Sequence, residues 1–333
     1  MKIIVDAFGG DNAPAQIIKG AIDALDSEQG FSLTLVGKQD VIERELLQYK
    51  YDPQRVSIHH APDVITNDDS PAEAVRTMKD SSIVQGFRLL NSDPDYSAFV
   101  SAGSTGAVLS AAVILVKRIK GINRPALAPV LPTVNNSQVV LVDCGANPDS
   151  KANNLVQFAL MGSVYSKEVL GIPNPKVGLL SNGAEDSKGN ELNKEAFPLL
   201  KEDERLNFVG NIEARDILSG KIDVVAADGF GGNIALKASE GAALAFLEIL
   251  KKGILAGGLR AKLGYLLLKP VFKMVKNTMD YNDKGGAVLL GLQKIVVKSH
   301  GSSKAKSITA SILQAKNLVE AGVAQKIEKA LMI

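Results

Sequence analysis

Short apolar runs rich in valine, isoleucine and leucine recur along the chain, each followed by small or polar residues and then by a helix-like segment. The runs predict strands at residues 3–5, 33–36, 99–100, 139–142, 177–180, 208–209 and 224–225. Apolar residues at three- and four-residue spacing predict helices at residues 71–90, 106–120, 154–169, 190–200, 233–252 and 303–331. This alternation of strands and helices indicates an α/β fold.

Most of the strand-like runs lack polar alternation, as expected for strands covered by helices on both faces of a largely parallel sheet. We therefore predict a three-layer α/β/α sandwich. A chain of 333 residues is long enough for one or two domains. Because no linker rich in Pro, Gly or Ser and no repeat interrupts the pattern, we favour a single domain over residues 1–333.

Composition narrows the class of protein. Apolar residues make up 46% of the chain and charged residues 22%, which supports a large buried core. The net charge of +2 is too small to favour nucleic acid as a partner. Cys144 is the one cysteine and the three histidines lack metal-ligand spacing, so we expect neither a disulfide nor a metal site, and a reducing compartment fits best.

The beginning of the sequence, MKIIVDAFGG, predicts a strand and a turn rather than a secretion signal. No segment approaches the roughly 18 uninterrupted apolar residues of a membrane span. We expect a cytoplasmic protein that meets a membrane only at its surface.

Small and polar residues follow five of the predicted strands, at residues 6–11, 101–106, 143–147, 181–190 and 228–233. In open parallel sheets, ligands bind beyond the carboxyl ends of the strands. The turn at 101–106 opens a helix, where free N–H groups and two hydroxyls favour an anion such as phosphate. The candidate phosphate- or substrate-binding residues are Asp6, Gly9, Gly10, Gly103, Ser104, Thr105, Gly106, Asn147, Gly231, Gly232 and His300.

The turn at 228–233 and the run HGSS each allow two interpretations. Gly231 and Gly232 permit close backbone approach, and Asn233 is either a helix cap or an amide donor to a ligand. His300 begins the run HGSS before the last helix, which is either a third anion-facing cap or only a favourable helix start. Neither GxGxxG nor GxxxxGK[ST] is present, so the sequence requires no nucleotide cofactor.

Lys188 lies in a loop flanked by Gly and Asn, where a cation would neutralise phosphate or stabilise negative charge developing on a thioester carbonyl. It is the leading catalytic candidate, the alternative being an ordinary solvated lysine. Cys144 has no histidine near it in sequence, and small buried cysteines beside strands are common. We therefore do not expect Cys144 to be a catalytic nucleophile.

Residues 249–279 contain no acidic residue and seven Lys or Arg side chains. Five leucines fall on one helical face, so we predict a basic amphipathic helical element that binds anionic lipid or an acidic carrier protein. The alternative is that these leucines pack on the parent sheet or on a second subunit. The predicted contact residues are Leu255, Leu259, Arg260, Lys262, Leu263, Leu266, Lys269, Lys273 and Lys276.

Taken together, these segments resemble the PlsX family of bacterial phosphate acyltransferases. The resemblance covers essentially the whole chain and rests on the runs VDAFGGDNAP, SAGSTGA, RIKGINRPALAPVLPT, DCGAN, QFALMGSVYS, GAEDSKGNEL, FVGNIEARD, DGFGGN and HGSS. It implies an enzyme that converts acyl-acyl-carrier protein and inorganic phosphate into acyl-phosphate for phospholipid synthesis. It also implies a Rossmann-like fold similar to phosphotransacetylases and isopropylmalate-type dehydrogenases.

By the same resemblance, the protein is a homodimer at the membrane surface, needs no cofactor, and supplies acyl-phosphate to a downstream membrane acyltransferase. Lys188 and Asn233 fall on the positions assigned to catalysis in this family, and no covalent enzyme intermediate is needed. The chain departs from the family pattern at Asn12, where a histidine is often found, and at Ser104, where an asparagine is often found. Asn12 puts in doubt any acid or base role at its position.

Three alternatives remain open from the sequence. A phosphate acetyl- or butyryltransferase using acyl-coenzyme A would not need the leucine- and lysine-rich stretch. A dehydrogenase of the same broad fold would need carboxylate metal ligands and cofactor contacts. A membrane-surface scaffold would bind lipid and carrier protein without turnover.

Overall fold

The computed structural model describes residues 1–279 and 285–332, without the side chains of residues 262 and 273–279. The strands in this part of the chain are β1 (Lys2–Asp6), β2 (Ser32–Gly37), β3 (Val56–His60), β4 (Tyr96–Ser101), β5 (Ala126–Ala128), β6 (Val130–Pro132), β7 (Gln138–Val142), β8 (Lys176–Ser181), β9 (Asn207–Glu213), β10 (Val224–Ala226), β11 (Ala287–Leu290) and β12 (Ile295–Lys298). The helices are α1 (Ala15–Ser27), α2 (Gln39–Leu46), α3 (Pro71–Thr77), α4 (Ser82–Ser92), α5 (Thr105–Leu115), α6 (Ala152–Val169), α7 (Glu191–Glu202), α8 (Gly229–Ala256), α9 (Gly258–Met279), α10 (Ala305–Glu320) and α11 (Val323–Leu331).

The described strands form two sheets. The first has seven strands in the order β3-β2-β1-β4-β12-β11-β5, and the second has five in the order β6-β7-β10-β8-β9. Pairing is parallel except at β11, which is antiparallel to both of its neighbours, and between β6 and β7. The chain crosses from the first sheet to the second at Pro129, the single residue between β5 and β6.

Alternate residues of the central strands face different cores, which shows that helices cover both faces of each sheet. Ile3 and Val5 of β1 pack into the cluster that includes α1 and α10, whereas Ile4 packs with α4 and α5. In the second sheet, Val140 faces the cluster that includes α6, and Leu141 faces Ile217 and the start of α8. The α/β fold and its helix-covered strands are confirmed, with the strands in two sheets. The single-domain assignment stays a prediction.

All seven predicted strands are present, but two of the predicted long helices are divided. The segment predicted as one helix over 71–90 forms α3 and α4, because Ser81 caps a new helix by accepting a hydrogen bond from the Val84 N–H. The segment predicted over 303–331 forms α10 and α11, which are separated at Gly322, where φ is +64°. Both predictions of a single continuous helix were wrong.

The basic element is a pair of helices that extends from the second sheet. Among the 28 residues of α8, only Gly229, Gly232 and Ala235 of the first two turns are buried. The rest of α8 packs against α9, and the chain reverses at Gly258, where φ is +68°. Within the described residues, none of the helices has the length and apolar character needed to cross a bilayer.

Candidate active site

The ends of several strands from both sheets enclose a cleft of ≈ 480 Å³. The first sheet contributes the loops after β4 and β12, and the second contributes the loop after β7 and the first three turns of α8. The crossing between β5 and β6 lines the cleft between them. The residues that line this space include Gly103, Thr105, Asn233, Lys298 and His300. The carboxyl ends of parallel strands thus converge where the sequence predicts a site.

The turn at 101–106 brings the start of α5 to the cleft. Gly103 and Thr105 line it, and the N–H groups of the first helical turn have no partners within their own helix. Ser104 is buried beside them and its side chain does not cap the helix. Gly106 lies against Pro71 rather than facing the cleft. The helix end therefore presents a partial positive charge to a bound anion.

Asp6 lies beneath this turn and holds it. One carboxylate oxygen accepts a hydrogen bond from Ser101 Oγ at 2.7 Å, and the other accepts one from the Phe8 N–H at 3.2 Å. Burial raises the pKa of Asp6, while the hydrogen bond from Ser101 lowers it. Asp6 is 1% exposed and does not line the cleft, so its observed contacts order the loops.

Gly9 and Gly10 let the loop after β1 pass close to its neighbours. A Cβ on Gly9 would lie 2.6 Å from both Asp6 Oδ2 and the Gly103 nitrogen, and one on Gly10 would lie 2.7 Å from the Gly301 carbonyl oxygen. Asn12 fastens the same loop to the last one, since its Nδ2 donates to the carbonyls of Ser302 and Ser303 at 3.0 and 3.2 Å. These three residues join the strand-end loops of the first sheet.

The loop after β12 presents one imidazole. His300 lines the cleft, and its Nδ1 accepts a hydrogen bond from the Ser302 N–H at 3.2 Å, which requires an unprotonated Nδ1. Partial burial lowers the pKa of His300, and the positive charges of Lys237 and Lys298 lower it further. The neutral imidazole is therefore favoured.

The sequence interpretation missed Lys298, the last residue of β12. It lines the cleft, is only 7% exposed, and its Nζ donates to the carbonyl oxygen of Ser299. Burial lowers the pKa of Lys298 to about 8, although Asp6 and Asp11 favour its charged form. The available signal was a lysine directly after the apolar run IVV and directly before SHG. Lys237 on α8, which pairs with Glu240 at 2.8 Å, also lines the cleft and was also missed.

Asp143 organises the second side of the cleft. Its Oδ1 accepts hydrogen bonds from the N–H groups of Leu127 and Cys144, and its Oδ2 accepts from the main-chain and side-chain nitrogens of Asn147. Burial raises the pKa of Asp143, whereas these donors favour the carboxylate. Asn147 also donates to the Pro125 carbonyl at 2.8 Å and does not line the cleft. Its observed role is to connect the two sheets.

The start of α8 brings Asn233 to the cleft. Asp228 caps the helix by accepting a hydrogen bond from the Gly231 N–H at 2.8 Å. Gly232 lies against the main chain of Asp143, and neither Gly231 nor Gly232 lines the cleft. The exposed Asn233 side chain faces the cleft beside Gly145, where its amide is available to a ligand. Because Asp228 is the helix cap, the position of Asn233 fits the other interpretation, an amide donor to a ligand.

Lys188 does not line the cleft. It is exposed in the loop after β8, where its N–H donates to the Glu185 carbonyl at 3.0 Å and Asn211 Nδ2 donates to the same carbonyl at 2.8 Å. Since β8 is the neighbour of β10 in the sheet, Lys188 and Asn233 follow adjacent parallel strands at one edge. The catalytic role of Lys188 stays a prediction.

The leucines of the basic element face solvent. Leu255, Leu259, Leu263 and Leu266 are 58%, 88%, 62% and 63% exposed, so they do not pack on either sheet. Arg260 and Lys269 are exposed as well. The side chains of Lys262, Lys273 and Lys276 lie outside the described residues. The described side chains of the element therefore present an apolar and basic surface to solvent.

The fold of the chain is similar to that of solved phosphotransacylases. A phosphotransacetylase from Streptococcus pyogenes superposes with a TM-score of 0.61 at 18% identity, over 98% of this chain and 94% of that chain. A branched-chain phosphotransacylase from Enterococcus faecalis V583 gives a TM-score of 0.56 at 14% identity, over 96% of this chain and 99% of that chain. At these identities the similarity establishes a shared fold.

Sequence comparison identifies the family. The model of the family described as fatty acid synthesis protein matches residues 1–326. The chain is 46% identical to a phosphate acyltransferase of Clostridium novyi (strain NT) over 328 residues, which is 98% of each chain. It is 47% identical to a phosphate acyltransferase of Bacillus licheniformis over 330 residues, 99% of this chain and 98% of that protein. The chain belongs to this fatty acid synthesis protein family.

Proposed function

We propose that the protein is a phosphate acyltransferase that converts acyl-acyl-carrier protein and inorganic phosphate into acyl-phosphate for phospholipid synthesis. The observation that carries the proposal is the full-length similarity to relatives named phosphate acyltransferase. The cleft supports it, because a helix end, Lys237 and the buried Lys298 surround a space suited to an oxyanion.

The reaction needs positioning and charge stabilisation rather than an enzyme nucleophile. A phosphate oxygen attacks the thioester carbon, a C–O bond forms, and the carbonyl oxygen takes up negative charge. The C–S bond then breaks and the carrier thiol leaves with the proton given up by phosphate. We assign Asn233 and Lys188 to stabilisation of the developing oxyanion. The position of Asn233 in the lining of the cleft supports its part in this role.

The same proposal places the protein in the cytoplasm as a homodimer at the membrane surface, with acyl-phosphate passed to a downstream membrane acyltransferase. The exposed leucines of α8 and α9, together with the absence of acidic residues from 249 to 279, support a surface that binds anionic lipid or acyl-carrier protein. Flotation with phosphatidylglycerol vesicles, and light scattering for the oligomeric state, test these two parts. Recovery in the lipid-free fraction as a monomer would contradict both.

The direct test of the activity is mass spectrometry of the purified protein with palmitoyl-acyl-carrier protein, with and without inorganic phosphate. Acyl-phosphate and free carrier thiol should both form, and only when phosphate is present. A parallel reaction with palmitoyl-coenzyme A distinguishes a transferase for soluble thioesters. Turnover of that substrate alone would overturn the assignment of acyl-carrier protein and remove the proposed carrier role of the helical element.

A further inference from the structure

The location of Lys298 is unusual for a lysine. It ends β12, which pairs in parallel with β4 so that Lys298 lies opposite Ser101, the residue at the start of the turn that opens α5. Lysine is almost never this buried unless it is paired, and within the described chain no carboxylate forms an ion pair with its Nζ. Its hydrogen bond goes to the carbonyl of the next residue.

The charged groups around Lys298 differ in sign and lie on different elements. Asp6 on β1 and Asp11 in the following loop stabilise its charge, while Lys237 on α8 opposes it. His300 is two residues away on the same loop, and its pKa is lowered in part by Lys298. The facing residues of β4 and β11, and Ser311 and Gln314 of α10, carry no charge. Lys298 and Asp11 line the cleft, whereas the buried Asp6 does not, so the ammonium is available to a ligand in the cleft.

We infer that Lys298 is the phosphate-binding cation of this site, holding a tetrahedral oxyanion between the start of α5 and the loop after β12. Gly103, Thr105 and His300 line the same cleft as Lys298. A charged donor here makes stronger hydrogen bonds than a neutral one, and burial strengthens them further. The identity of the anion as the attacking inorganic phosphate rests on the proposed function.

Lys298 and Asn233 then divide the cleft between two substrates. Lys298 belongs to the first sheet and binds the nucleophile, whereas Asn233 belongs to the second and faces the thioester carbonyl. Loss of the lysine should therefore weaken phosphate binding while leaving binding of the acyl carrier almost unchanged.

The test compares Lys298→Met and Lys298→Arg with the wild type and with Lys304→Met, an exposed lysine six residues later that does not line the cleft. Steady-state kinetics give the KM for phosphate and the KM for palmitoyl-acyl-carrier protein separately. Lys298→Met should raise the KM for phosphate by about 10- to 100-fold, the range expected when a hydrogen bond to a charged group is lost. Lys298→Arg should recover part of this loss, and Lys304→Met should match the wild type.

A second readout needs no turnover. Inorganic phosphate should raise the Tm of the wild type in a concentration-dependent way, because a ligand that binds only the folded state stabilises it. The shift should be absent in Lys298→Met and present in Lys298→Arg. If the wild type shows this shift but no transfer from the carrier, the proposed function fails and the phosphate site stands.

A third readout tests the inference even if Lys298→Met does not fold, because it compares the wild type with Lys298→Arg. Since arginine keeps its charge at any accessible pH, phosphate stabilisation should decline above about pH 8 in the wild type and persist to pH 9.5 in Lys298→Arg. An unchanged KM for phosphate in a folded Lys298→Met, an equal rise in both KM values, or identical pH profiles of the wild type and the arginine variant would overturn the inference.

Discussion

Gly232 and the main chain of Asp143 are in direct contact: a Cβ on Gly232 would lie 2.0 Å from the Asp143 carbonyl oxygen. This contact fixes the start of α8 against the end of β7. Asn233, the next residue, is thereby positioned at the cleft. A close approach of two backbones, rather than a ligand, accounts for the last of the three glycines in DGFGGN.

Gly232→Ala should therefore displace the start of α8. We expect the free energy of unfolding to fall by about 1–3 kcal/mol, as for other overpacked sites, and turnover to fall with it. Urea denaturation and the acyl-phosphate assay measure the two effects. Gly241→Ala on the same helix is the matched control, since a Cβ there meets no atom within 4 Å and should stabilise the helix by up to about 1 kcal/mol. Equal behaviour of the two variants would contradict this account.

Asn233→Ala should lower kcat by more than about tenfold with an unchanged fold, because removal of one oxyanion donor in other enzymes costs about 100- to 1000-fold. Steady-state kinetics and circular dichroism provide the measurement. Ile234→Ala, at the neighbouring exposed position of α8, controls for changes in the helix. Normal turnover of Asn233→Ala would remove the amide from the mechanism.

Lys188→Ala should also lower turnover by more than about tenfold, as expected when a positive charge near the developing oxyanion is lost. Lys194→Ala, an exposed lysine on α7, removes the same charge at a position outside the loop and should retain full activity. Similar rates for both variants would show that Lys188 is an ordinary solvated lysine.

Lys298 should also leave a signature in stability. Its pKa is about 8 in the folded protein against an ordinary value of 10.5, so folding favours the neutral amine. A lowered folded-state pKa contributes stability at high pH that is lost as the pH falls toward 8. We expect the unfolding free energy of the wild type, relative to Lys298→Met, to rise by on the order of 3 kcal/mol between pH 7.5 and 10.5. Urea unfolding at both values gives this difference, and a constant difference would contradict the assigned pKa.

Cys144 should be chemically inert although it lines the cleft. Burial raises the pKa of its thiol to about 12, so almost no thiolate exists at pH 8. Iodoacetamide should leave turnover intact, and mass spectrometry should find neither an alkylated nor an acylated cysteine during turnover. Protein unfolded in urea should react readily. An acyl adduct on Cys144 in the working enzyme would require a covalent mechanism.

The sequence predicted the strands that have buried β-branched runs, because burial on both faces removes the polar alternation that would obscure them. It did not predict β3, where polar residues alternate with Val56 and Ile58, or the short strands β5, β6, β11 and β12. It also could not show that β11 runs against its neighbours or that the strands divide into two sheets. Pairing direction depends on contacts between residues distant in sequence.

The sequence predicted candidate residues in loops at the ends of the strands, but a list of loop residues does not tell which side chains face the cleft. Asn233 and His300 face it, whereas Asp6 and Asn147 point into the loops and hold them. Lys298 was missed because a lysine after an apolar strand ordinarily ends at the surface, and its burial does not follow from the residues next to it in sequence.

The bond from the Leu127 N–H to Asp143 Oδ1, at 2.8 Å, lies beside the crossing at Pro129. The main chain of the first sheet is thus hydrogen-bonded to a buried carboxylate of the second, at the place where the two walls of the cleft meet. Widening the cleft would break this bond and leave the Leu127 N–H without its partner, and an unpaired buried donor is costly. The separation between the proposed nucleophile side and the proposed carbonyl side is therefore a property of the folded chain itself, set before either substrate arrives.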